Sequence, residues 1–122
     1  MAINQVPEAF LYAQNAGADL SSGLHKLAHI DTDGDIVLAG DGEPVAGVIY
    51  EDGEINTPVT IQFAGIGKAT AGAAIVAGAQ LASDASGLAV TATADEHVFG
   101  IALNNADSGD RVSFIFRGGL GV

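Results

Sequence analysis

The chain has no cysteine. That excludes a disulfide framework and a thiolate-ligated metal site. Cations are almost as scarce: Lys26, Lys68, Arg111 and Arg117 stand against fifteen acidic residues, for a net charge of −11. Phosphate contacts dominate nucleic-acid affinity, so this balance argues against a nucleic-acid partner. It argues equally against an anionic membrane surface. The acidity itself favours solubility and self-repulsion. No apolar run reaches the roughly 18 residues of a membrane-spanning helix. No basic segment followed by an apolar core opens the chain, so no signal peptide is expected. Large aromatics are few, with seven Phe and Tyr in all.

What is present is a repeat. Val45-Ala46-Gly47-Val48-Ile49 lies over Val98-Phe99-Gly100-Ile101-Ala102, 53 residues later. The same offset carries Val59 to Gly65 onto Val112 to Gly118, and pairs Asp31 with Asp84, Gly34 with Gly87 and Glu43 with Glu96. Further back the offset becomes 55, with Ala16 to Gly23 over Ala71 to Gly78, so two extra residues are placed between Gly23 and Asp31. The chain is read as one domain, residues 16–122, made of repeats 16–67 and 71–120, preceded by an arm of residues 1–15. Each repeat is too small to bury a good core alone, so the two are expected to share one. The arm carries Phe10 and Tyr12, spaced for one face of a strand. Ala9 to Ala13 is equally compatible with a helical turn.

Within each repeat, short apolar runs alternate with turn signals. Leu24 to Ala28 and Ile36 to Ala39 form a hairpin about Asp31-Thr32-Asp33-Gly34, repeated as Ala79 to Ser83 and Leu88 to Thr93 about Asp84-Ala85-Ser86-Gly87. Ala69 to Ala82 has helix-favouring alanines, but Gly72 and Gly78 and the lack of caps make it a strand end, a turn and a short connection. Strands with turn signals at this spacing predict an all-β fold, a small barrel or sandwich of two duplicated half-units with an extended N-terminal arm.

Reaction chemistry finds no foothold. Asp31, Asp33 and Asp35 suggest a calcium loop, but the required Gly and Glu positions hold Ile36 and Gly42. His25 and His29 have zincin spacing, yet lie in a predicted strand with Lys26 where a Glu is needed. Gly65-Ile66-Gly67-Lys68 fails the phosphate-loop spacing at Gln62 and Ala69. No serine has a framing motif, and the paired carboxylates sit in polar loops where they stay ionised. No catalytic residue, metal or cofactor is assigned. Candidate partner-binding residues are Ile3, Val6, Phe10 and Tyr12 of the arm, and Arg117. Arg117 interrupts the closing strand where the first copy has Ala64.

Val45 to Val48 with Val59-Thr60-Ile61, then Ala71 to Gly78, Ser83 to Gly87 and Val98 to Leu103, resemble small phage capsid decoration (cement) proteins. The resemblance covers the chain from Gly17 onward and rests on structural glycines and apolar strands. It implies a β-rich protein without catalysis, held on the outer surface of an assembled head by its major capsid protein, often as a trimer. It implies a virion protein made in the host cytoplasm. It transfers no binding residue. The alternative is a carbohydrate- or peptide-binding β-module of a tail or cell surface, which needs an exposed aromatic platform. A carrier domain with a modified Lys68 lacks its hairpin signature.

Overall fold

The computed structural model describes residues 10–120, with side chains described as far as Arg117. The all-β expectation holds: two five-stranded antiparallel sheets and no α-helix among the described residues. The first sheet takes β1 (Leu11–Asn15), β2 (Leu27–Ile30), β3 (Ile36–Leu38), β4 (Gly47–Glu51) and β5 (Pro58–Gln62) in the order β1-β5-β4-β2-β3. The second takes β6 (Ile66–Thr70), β7 (Gln80–Ser83), β8 (Ala89–Thr91), β9 (His97–Ala102) and β10 (Arg111–Leu120) in the order β6-β10-β9-β7-β8. The two orders are the same pattern. An isolated parallel bridge joins Ala16 to Ile36 in the first half and Ala71 to Ala89 in the second. Each bridge draws the outer strands together, so each sheet curls towards a small barrel.

The repeat reaches further back than the sequence suggested. Leu11–Asn15, read as the end of an unmatched arm, is an edge strand paired with β5 from Leu11↔Gln62 to Asn15↔Pro58. It holds the place of β6 in the second half. The extra residues also move. The amide of Leu20 donates to Gly53 and that of Ile75 to Ala106, whereas His25 donates to Ile49 and Gly78 to Ala102. The insertion is therefore Ser21-Ser22, and Gly78 corresponds to His25 rather than to Gly23. Backbone conformation agrees. Apart from Gly65, the positive-φ residues pair as His25 with Gly78, Gly34 with Gly87, Gly42 with Asp95 and Asn56 with Gly109.

Two hydrophobic clusters fill the halves. The first is internal to its half: Ala16, Leu20, Ala28, Ile36, Ile49, Val59 and Ile61. The second contains the counterparts Ala71, Ile75, Leu81, Ala89, Ala102, Val112 and Phe114, together with Leu27, Ala39 and Val48 of the first half. The halves thus share the second core but not the first. Phe114 stands edge-on to Phe99 and Phe116, with ring centroids 5.0 and 4.7 Å apart. Gly100 makes this packing possible, since a Cβ there would lie 2.7 Å from Phe114 and 2.8 Å from the carbonyl oxygen of Ile115.

Candidate docking surfaces

The acidic loops are turns. Asp31 Oδ1 accepts from the amides of Asp33 and Asp35, each at 2.9 Å. Asp84 Oδ1 accepts from Ser86 at 2.8 Å and Leu88 at 2.9 Å. These carboxylates brace hairpins. Among the described residues, no three His, Asp or Glu side chains are grouped to hold a metal, and no buried side-chain nitrogen or oxygen lacks a hydrogen-bond partner. Asp19 and Glu96 are held below the usual carboxylate range, Asp19 by bonds from Ser21 and Glu96 by bonds from Thr93, and both are exposed loop groups.

The seam between halves is built by one segment. The amide of Leu27 donates to the carbonyl of Gly87 at 2.8 Å, and the carbonyl of His25 accepts from the amide of Thr70 at 2.9 Å. His25–Leu27 therefore spans the gap between β8 and β6 at the end left open by the Ala71–Ala89 bridge. Leu27 is fully buried there. The carbonyl oxygen of Leu27 would lie 3.2 Å from any Cβ at Gly87. His25 lines a cleft with Tyr50, Gln62, Lys68 and Arg111. Burial, then the positive charge of Arg111, lowers its pKa from the ordinary histidine value. It is the neutral imidazole that suits this place.

Directly paired residues share a sheet face. In the first half the pairing Leu11–Gln62–Val48–Leu27 runs as one row across four strands. The second half closes over it, leaving Gln62, Val48 and Leu27 4%, 2% and 0% exposed. The matching row of the second half is Ile66–Ile115–Ile101–Gln80. Here Ile66 is 54% and Ile115 39% exposed, and Leu103 on the same face is 48% exposed. Lys68, two residues along from Ile66 on β6, flanks the row. Arg111 lies on the same face beyond Ser113.

Of the residues singled out in the sequence, Ile3 and Val6 lie outside the described residues. Phe10 is half-buried and meets Phe63 edge-on at 6.5 Å. Phe63 and Arg117 line one groove with Val45, Ala46 and Phe116. Phe63 thus links Phe10 to Arg117. Tyr12 sits apart on the edge strand, opposite Ile61 and 44% exposed. Phe63 is 43% exposed, at the rim under Phe10. The isoleucine row escaped notice because its members come from three strands and only the register unites them.

The fold and its surfaces define a duplicated all-β scaffold whose hairpin aspartates build turns and which leaves Tyr12, Tyr50, Ile66 and Ile115 exposed on its strands. The model of the phage cement protein family matches residues 28–118, and the chain belongs to that family. No curated protein matches the chain. The crystal structure of the head fiber gp8.5 N base of bacteriophage phi29 has a similar fold, with a TM-score of 0.71 and 22% sequence identity over 88% of this chain and 94% of that one.

Proposed function

We propose that the protein decorates a phage capsid: it binds the outer surface of the assembled major capsid protein shell and strengthens it. Membership of the cement family over residues 28–118 is the observation that carries this reading. The physical picture supports it. A cement protein needs a stable body and a contact surface, not a reaction centre. Repetition over a symmetric shell turns weak individual contacts into large avidity. The proposed contacts are the arm, with Ile3 and Val6, then Phe10, Tyr12 and Arg117. The protein acts as a homo-oligomer, a trimer by resemblance to the family, and resides on the virion.

Purified protein added at micromolar concentration to undecorated heads tests this. Co-sedimentation and greater resistance of the heads to heat or chelation are expected. Heads that neither bind it nor gain resistance would overturn the reading. Because Tyr12 belongs to β1, the arm is tested by removing residues 1–9. Loss of head binding with an unchanged fold is expected, and unchanged binding would reject the arm's part.

A further inference from the structure

The contact between the two halves is head-to-tail, and a duplicated head-to-tail contact leaves one copy of each surface unused. In the second half, the slot between Thr70 and Gly87 is filled by His25–Leu27. In the first half, the same slot lies between Asn15 and Gly34. Among the described residues nothing enters it. The amide of Asn15 is met by Gln14 Oε1, its own neighbour's side chain, and no described residue stands within 4 Å of the Cβ position of Gly34. The unused counterpart of His25–Leu27 is Gly78-Ala79-Gln80. Gly78 has φ 88° where His25 has 65°, and no described residue lies within 4 Å of its Cβ position. The unused counterpart of the buried row Leu11–Gln62–Val48–Leu27 is the exposed row ending in Gln80.

We propose that Gly78–Gln80 and the Ile66–Ile115–Ile101 row of one chain dock into the open Asn15–Gly34 slot of a second copy, repeating between chains the contact made within each. Charge favours this occupant. From Ala16 to Gly65 nine acidic residues accompany the single cation Lys26, whereas from Ile66 to Leu120 five accompany Lys68, Arg111 and Arg117. The slot itself adjoins the Asp31, Asp33 and Asp35 loop. The chain is thus polar along its length, acidic at the slot and cationic at the row. Unlike surfaces meeting head to tail form a ring if the rotation closes and a filament if it does not. The inference deepens the oligomeric part of the proposed function, and its test uses no shell, so its failure leaves head binding untouched.

Sedimentation velocity of the full chain over a range of concentrations comes first. Concentration-dependent association is expected, and a monomer throughout would overturn the inference. Ile115→Asp is expected to weaken association by about tenfold or more, as burying an unpaired charge in an interface does. Lys68→Glu is expected to weaken it while circular dichroism stays unchanged. Association undiminished in these variants, or lost only on removing residues 1–9, would overturn it. The absence of cysteine allows a direct geometric readout. Gln80→Cys and Asp35→Cys, made in separate chains, mixed and oxidised, are expected to give a mixed disulfide dimer. Cross-linking within either single-variant pool but not between them would contradict the head-to-tail arrangement.

Discussion

The amide of Thr70 donates to the carbonyl of His25 at 2.9 Å, joining the edge strand of one half to a left-handed residue of the other. With Leu27 bonded to Gly87, this makes His25–Leu27 the keystone of the shared core. Leu27→Ala should therefore cost about 3 kcal/mol, in the range for emptying a buried leucine site. Ile115→Ala, on the exposed row, should cost about 0.5 kcal/mol or less in dilute monomer. Urea unfolding of both variants checks the contrast, and equal losses would place the core elsewhere.

Backbone conformation gives a second pair of outcomes. Gly100→Ala would press a methyl group on Phe114 and the Ile115 carbonyl, and should cost about 1–3 kcal/mol. Asp95 has φ 68° where its counterpart is Gly42. Asp95→Gly removes left-handed strain and is expected to be neutral or to stabilise by up to about 1 kcal/mol. Thermal unfolding midpoints of the two should move in different directions or, at least, by clearly different amounts.

The two hairpin aspartates act independently. Asp31→Ala and Asp84→Ala each leave two amides without their carboxylate partner, and each should cost about 1–2 kcal/mol. They share no partner, so the double variant should lose their sum to within about 0.5 kcal/mol. Denaturant titration of the three variants measures this. A calcium role for Asp31, Asp33 and Asp35 predicts instead that added calcium raises the stability of the parent chain, and no such rise is expected.

His25 makes the fold sensitive to acid. Its pKa is lowered by burial and by Arg111, so below the ordinary histidine value of about 6.5 the unfolded chain binds a proton that the folded chain resists. Its contribution is fully present above that pH and declines as the pH falls, until the folded-state histidine also protonates. The depressed carboxylates of Asp19 and Glu96 act at lower pH still, below the usual carboxylate values. His25→Gly, which copies Gly78, should fold and should lose the part of the decline that begins near pH 6.5. An identical pH profile would show that His25 is not the group responsible.

Much of the architecture was legible because strand glycines and alternating apolar residues repeat at a fixed offset. Gly47 and Gly100 are needed where a neighbouring strand passes close, at Gln62 and Ile115, so they mark the register in sequence as well as in space. Two features stayed hidden. Leu11–Asn15 and Ile66–Thr70 share no residue, since their equivalence lies in pairing with β5 and β10 rather than in side chains. Identity also misled at Gly23 and Gly78, because the left-handed position of the first half is occupied by His25. The exposed row was invisible for a related reason. Ile66, Ile101 and Ile115 look like three ordinary core residues until the strands are aligned, and their first-half counterparts are indeed buried or half-buried.

The capsid reading is tested most directly by imaging heads reconstructed with and without the purified protein. Added density is expected at fixed lattice positions on the outside of the shell, of a size to hold the paired half-barrels. Decorated and undecorated maps that are indistinguishable, at protein concentrations well above micromolar, would contradict it.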